Sequence, residues 1–125
     1  MNDPLIPVGW GEVLDRISIL EIKRHRLNPA AVVNVERELA VLGAVAIPEH
    51  PGLPELLTAL AAVNQRLWTI EDRIREHDAR GDFGPGFVAL ARSVYRENDE
   101  RGRIKRAINL LIGSNLIEEK GYSKY

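Results

Sequence analysis

Apolar side chains recur every three or four residues along most of the chain, which is the pattern of amphipathic helices. Turn-forming residues interrupt this pattern at Asn28-Pro29, in the proline-rich stretch 46–54 and in the glycine-rich stretch 80–86. No segment of useful length alternates like a strand. The pattern therefore predicts four helices, at about Trp10–Leu27, Pro29–Val45, Pro54–Arg80 and Pro85–Ile112.

Two short helices followed by two long ones predict an all-α, four-helix arrangement. At about 1.5 Å per residue, each long helix would measure about 40 Å, and the short connection between them predicts an antiparallel hairpin of helices 3 and 4. The two shorter N-terminal helices would pack on one part of this hairpin. We expect a single domain over residues 1–125, with an extended arm at 1–9 and a C-terminal tail at 114–125. Because the uncovered part of the hairpin would expose Leu and Ile, the sequence also predicts a homodimer.

Polar residues interrupt the core-facing stripe of the fourth helix. Within "VYRENDERGRIKRAIN" (94–109), the stripe meets Asn98, Arg101 and Lys105 before it becomes apolar again. If helices 3 and 4 fold back at residue 83 or 84, Glu71 lies near the level of Asn98. Asn64 then lies near the level of Arg101 and Lys105, and the first helix contributes Glu21. We expect these charges to converge at mid-height, because an isolated buried charge would cost several kcal/mol.

Two interpretations of the polar stripe stay open. It is either a structural network of buried ion pairs or a ligand pocket between helices, as helical bundles often build. Flanking residues at helical spacing fit a pocket, where the cations would hold a carboxylate or phosphate and an aromatic ring would stack on a sugar. The candidate ligand-binding residues are Glu21, Asn64, Trp68, Glu71, Asp72, Arg92, Tyr95, Asn98, Arg101 and Lys105.

The C-terminal tail "EEKGYSKY" is too polar to be a core element. Because Tyr122 and Tyr125 are unfavourable in water, we expect the tail to fold back over the bundle with Lys120 near the polar stripe. A frayed terminus is the alternative. Gly102, inside the fourth helix, costs about 1 kcal/mol relative to alanine. Either it admits a close neighbour or a ligand, or it is a substitution that the helix merely tolerates.

Composition excludes several classes of function. The 17 basic and 18 acidic side chains nearly cancel, so no long-range field would attract nucleic acid or an anionic membrane. The chain has no cysteine, and its three histidines are scattered without a metal-binding spacing, so we predict neither a metal site nor a cofactor. The N-terminus lacks the pattern of a signal peptide, and no stretch is apolar enough to span a bilayer, which predicts a cytoplasmic location.

Several motifs resemble those of a small bacterial protein family that is known only as a domain of unknown function. They are "ISILEIK" (17–23), "VNQRLWTIEDRIR" (63–75), "DFGPGFVALARSVYRENDERGRIKRAIN" (82–109) and "EEKGYSKY" (118–125). Gly121 departs from the serine that the last family motif carries. The resemblance implies an all-helical protein, often encoded near glycosyltransferases and other genes for cell-surface polysaccharides, with no established activity. It also implies that all ten candidate residues belong to the family motifs.

Three functions remain possible at this point. The first is a binding domain for a small anionic ligand, either free or sugar-linked, that works beside a glycan-synthesis enzyme. The second is a small helical enzyme with an electrostatic site like that of the helical chorismate mutases. The third is a helical assembly module whose buried ion pairs only fix the register of a dimer.

Overall fold

The computed structural model describes residues 2–124, and it confirms the predicted all-α architecture. Four helices follow one another, the last two are the longest, and no strand occurs in the described range. Each boundary lies within two residues of its predicted position. The helices are α1 (Trp10–Arg26), α2 (Pro29–Gly43), α3 (Leu53–Ala79) and α4 (Pro85–Leu111).

Local sequence signals account for the helix ends. The side chain of Asn28 accepts a hydrogen bond of 2.9 Å from the backbone N–H of Ala31 and caps α2, whose first residue is Pro29. Gly113 ends α4 with a φ of +75°, and the N–H of Ser114 reaches back to the carbonyl of Asn109. None of the four helices combines the length and the apolar character that a membrane crossing requires.

Helices α3 and α4 form the predicted antiparallel hairpin, and α1 packs across both of them. The expectation that both short helices pack on the hairpin is corrected, since α2 packs against α1 alone. Only Val35 of α2 is buried. The connection between α1 and α2 consists only of Leu27 and Asn28, so α2 stays beside α1. In this position α2 contacts neither long helix.

The core lies where α1 crosses the hairpin. Its buried apolar residues come from α1, from the first half of α3 and from the second half of α4, so three helices enclose them. Between residues 65 and 103, no residue is buried. We call this part of the hairpin the distal hairpin. The core residues are Leu14, Leu53, Leu60, Val63, Ile104 and Ile108.

The tail lies back along α4, which is the folded-back arrangement and not the frayed one. The Glu119 carboxylate accepts a hydrogen bond of 3.0 Å from Arg106. The aliphatic part of Lys120 covers Gly102, where an added Cβ would lie 3.1 Å from Lys120 Cε, so this glycine admits a close neighbour. Tyr122 remains mostly exposed beneath the Lys120 ammonium, and Tyr125 lies outside the described residues.

Candidate functional site

A buried carboxylate on α1 is the centre of the polar cluster. Asp15 is 2% exposed. Its Oδ1 accepts hydrogen bonds from Arg101 Nε at 2.9 Å and from Asn64 Nδ2 at 3.0 Å, and its Oδ2 accepts a second bond from the Arg101 guanidinium. The cations of α4 therefore have a buried partner, and α1, α3 and α4 meet at one point.

Small residues let α1 come close enough for this contact. A Cβ added at Gly11 would lie 2.5 Å from the carbonyl oxygen of Lys105, so a larger side chain would force α1 away from α4. The N–H of Gly11 donates to Asn109 Oδ1 at 2.8 Å, and Ser18 accepts a hydrogen bond from Asn64. These contacts anchor the face of α1 that carries Asp15.

The Arg101 guanidinium keeps its charge beside Asp15. Hydrogen bonding to Asp15 raises the pKa of the Arg101 guanidinium, against the opposing effect of burial. No buried side-chain nitrogen or oxygen among the described residues lacks a hydrogen-bond partner. A paired and fully bonded buried charge is tolerated, whereas removal of one partner is strongly destabilising.

Lys105 belongs to a neighbouring cluster that joins α1, α4 and the tail. Its Nζ lies 2.9 Å from Glu12, 3.2 Å from Glu118 and 3.9 Å from Asp15. Burial disfavours the charged ammonium, but hydrogen bonds to Glu12 and Glu118 outweigh it, so the pKa of Lys105 lies above its ordinary value. The hydrogen bond from Lys105 also lowers the pKa of Glu118. Arg101 and Lys105, which the sequence predicted to hold an anion together, therefore contact two different sets of carboxylates within the protein.

A groove of about 510 Å³ opens beside the Asp15–Arg101 pair. It lies between α3 and α4, and Ile19 of α1 also contributes to its lining. We call it the polar groove. It contains six of the ten candidate residues. The predicted level of Asn64 with Arg101 agrees with the structure, because both side chains bond Asp15 Oδ1. Its lining residues are Ile19, Asn64, Leu67, Trp68, Glu71, Asp72, Arg75, Asn98 and Arg101.

The other four candidates lie elsewhere. Arg92 and Tyr95 are exposed and do not line the polar groove, and Lys105 lies in the cluster with the tail. The prediction that Glu21 faces the α4 cations is wrong. Its carboxylate pairs with Arg24 at 2.7 Å, because the face of α1 that meets α4 is the one carrying Asp15.

Sequence reasoning missed Asp15 and Glu12, and it left Arg75 off the candidate list. The signal for Asp15 was the series Gly11, Asp15 and Ser18, at spacings of four and three, which marks a second face of α1 beside the apolar one. Glu71, which the sequence placed opposite the cations, instead pairs with Arg75 on its own helix at 2.7 Å.

A second groove, of about 490 Å³, runs between α1 and α3. We call it the apolar groove, because aliphatic side chains form most of its wall. Glu21, His25 and Arg26 lie along it, and no residue of α2 does. Its lining residues are Leu14, Ile17, Ser18, Glu21, Ile22, His25, Arg26, Ile47, Leu57, Leu60, Ala61 and Gln65.

Comparison with known proteins agrees with the resemblance seen in the motifs. The chain matches no curated protein and no solved structure. A family model matches residues 6–125, which is nearly the whole chain, and the chain therefore belongs to the family of unknown function DUF6165.

Proposed function

We propose that the polar groove binds a small anionic ligand, such as a carboxylate or a phosphate attached to a sugar. The volume of about 510 Å³ falls in the range of small-molecule sites. The observation that carries the proposal is the fixed position of Arg101. Asp15 holds two of its guanidinium nitrogens, and the third faces the groove with only a long contact of 3.5 Å, to Asn98.

Arg75 would supply the second cationic contact. Its side chain is 71% exposed, and its ion pair with Glu71 lies within one helix. Such exposed pairs contribute only about 0.3–0.5 kcal/mol, so an anion can take Arg75 from Glu71 at little cost. The released Glu71 carboxylate could then accept hydrogen bonds from ligand hydroxyls, as could Asp72.

The remaining lining fits a sugar ring better than a simple ion. Trp68 offers an aromatic face, and Asn64 and Asn98 add amides at the floor of the groove. The lining carboxylates Glu71 and Asp72 balance the lining arginines, so a bare anion would gain little net attraction. A ligand that combines one anionic group with several hydroxyls would use both kinds of side chain. The proposed setting is cell-surface glycan synthesis, in line with the family resemblance, with a glycan-building enzyme as partner.

Titration with three probes tests the proposal: inorganic phosphate, a hexose, and the corresponding hexose phosphate. We expect the hexose phosphate to raise the melting temperature more than either other probe, by several degrees near 100 times its Kd, where binding contributes about 2.7 kcal/mol. In a Trp10→Phe background, the fluorescence of Trp68 should change over the same concentration range. No response to any probe at millimolar concentration would exclude the ligand class.

Arg75→Gln and Arg73→Gln form a matched pair for this test. Both arginines are exposed on α3, but only Arg75 lines the polar groove. We expect Arg75→Gln to abolish the response to hexose phosphate and Arg73→Gln to keep it. Arg101 is unsuitable for this purpose, because its removal would leave Asp15 buried without its cation. Equal responses in the two variants would contradict the assigned role of the groove.

A further inference from the structure

Helix α2 is apolar on both sides although it packs on one side only. Its inner face lies on α1, where Val35 is buried. On the opposite side, Val33 is 58% exposed and Val41 is 66% exposed. An isolated helix of 15 residues is marginal in water, so most of the stability of α2 must come from packing of its apolar sides. We call the second side the outer α2 face; it consists of Ala30, Val33, Ala40, Val41 and Ala44, with Arg37 at its centre.

The apolar groove offers an apolar surface on which a helix could dock. Its walls are two neighbouring helices, with Ile17 and Ile22 on α1 and Leu57 and Ala61 on α3. Amphipathic helices commonly dock their apolar face into such a groove. Within one chain, α2 does not enter this groove, because α2 contacts α1 alone and lines no part of it.

The total surface of the chain points to a missing contact of considerable size. A folded monomer of 14.0 kDa is expected to expose about 6,700 Å². This chain exposes 8746 Å². The extended arm accounts for part of the excess of roughly 2,000 Å². Stable homodimers bury about 1,000–2,500 Å² on each partner, so the part of the excess that the arm does not explain is compatible with a dimer contact.

We infer that the protein forms a two-fold symmetric homodimer in which the outer α2 face of each copy lies in the apolar groove of the other. A two-fold axis allows two complementary surfaces of one chain, which cannot meet within that chain, to be buried together. The alanines on the outer α2 face permit close approach of the helices. Arg37, at the centre of this face, would share the groove carboxylate Glu21 with Arg24, which pairs with it at 2.7 Å within one chain.

Sedimentation velocity and light scattering on the full chain test the dimer. We expect wild type to have twice the mass of 14.0 kDa at micromolar concentration. Val41→Glu and Ala61→Lys, at exposed positions of the outer α2 face and the groove, should each raise the dimer Kd at least about tenfold, because each buries a charge in an apolar contact. Circular dichroism should show unchanged helix content, since both sites are exposed in the single chain.

Val88→Glu is the matched control. Val88 is 50% exposed on the distal hairpin, outside both surfaces, so this variant should remain dimeric. A monomeric wild type at about 100 µM would overturn the inference. A dimer that Val88→Glu disrupts as strongly as Val41→Glu does would also overturn it, because the distal hairpin would then form the interface.

Mixing the two disruptive variants tests the reciprocal arrangement. A mixed dimer of Val41→Glu with Ala61→Lys keeps one unmodified contact and brings opposite charges together in the other. We therefore expect the mixture to associate at least about tenfold more tightly than either variant alone. If α2 instead packed against α2 of the partner, mixing would restore no unmodified contact. A mixture no tighter than its components would contradict the inference.

Discussion

The two ends of the α3–α4 hairpin have similar sequences but different surroundings. Both carry aliphatic side chains every three or four residues, as Leu60 and Leu67 on α3 illustrate. At one end, α1 covers the hairpin and Leu60 is fully buried. At the distal hairpin, no helix covers the pair and Leu67 stays partly exposed. Two helices alone cannot enclose an apolar stripe, so the third helix makes the difference.

The polar residues also differ between the covered end of the hairpin and the distal hairpin. At the covered end, Asp15, Asn64 and Arg101 are removed from water and held by one another. On the distal hairpin, Glu71 and Arg75 pair on the surface of a single helix. Covered polar groups set the relative position of three helices, whereas open ones are free to bind something else. The polar groove lies at the boundary between the two ends, with one arginine held by a buried carboxylate and one exposed arginine.

The largest expected effect is the loss of the buried carboxylate. Asp15→Ala removes the partner of Arg101 and a hydrogen-bond acceptor of Asn64, which should lower the free energy of unfolding by about 3–5 kcal/mol. Urea denaturation followed by circular dichroism measures this change. Glu71→Ala, the control on the distal hairpin, should cost less than about 0.5 kcal/mol. Similar losses of unfolding free energy in the two variants would show that coverage by α1 does not make the two ends of the hairpin differ in stability.

A leucine at each end gives the second test. Leu60→Ala should cost about 2–5 kcal/mol, because the site is completely enclosed and a cavity remains. Leu67→Ala should cost less than half as much, since water already reaches the side chain and no closed cavity forms. The same urea titrations compare the two variants. An equal loss at Leu67 would indicate that a further surface covers the distal hairpin in solution.

The smallest effect concerns the tail, which lies on the covered end of α4. Because Lys105 lowers the pKa of Glu118, this carboxylate stabilises the docked tail above its ordinary pKa of 4.5. That contribution is lost as the pH falls through the lowered value in the folded state. We expect tail amide signals in NMR spectra to sharpen as the pH falls below the ordinary pKa of 4.5 and the tail is released.

Glu118→Gln should release the tail already at neutral pH. The associated change in stability should be below about 1 kcal/mol, because the carboxylate is half exposed. Glu119→Gln is the control, since its pair with Arg106 is more exposed to solvent. A tail that stays docked in Glu118→Gln at pH 7 would show that Lys120 and the tail backbone hold it without this ion pair.

Much of the fold follows from local patterns. Helix type and helix ends depend on residues close in sequence, such as Asn28 before Pro29 or Gly113 after α4, and these were predicted within two residues. The common level of Asn64 and Arg101 also followed from the sequence, because a short turn between two long helices fixes their register. The candidate site was therefore best predicted where it depends on the hairpin alone.

The position of α1 was not predictable in the same way. Its neighbouring faces, one through Glu21 and one through Asp15, both offered a carboxylate. The choice between them depends on the angle at which α1 crosses the hairpin, which the close approach at Gly11 allows. Rotating α1 about its own axis by one residue changes which side chain meets Arg101. The spacing of apolar residues along the helix does not specify that rotation.

The sequence by itself determined four helices, their ends, the antiparallel hairpin and the polar break in its stripe, because these depend on local propensity and periodicity. Only the tertiary structure decided that Asp15 is the buried partner of Arg101, that α2 packs against α1 alone and that no helix covers the distal hairpin. These features depend on contacts between segments distant in sequence, where the geometry of close packing selects among faces that look alike along the chain.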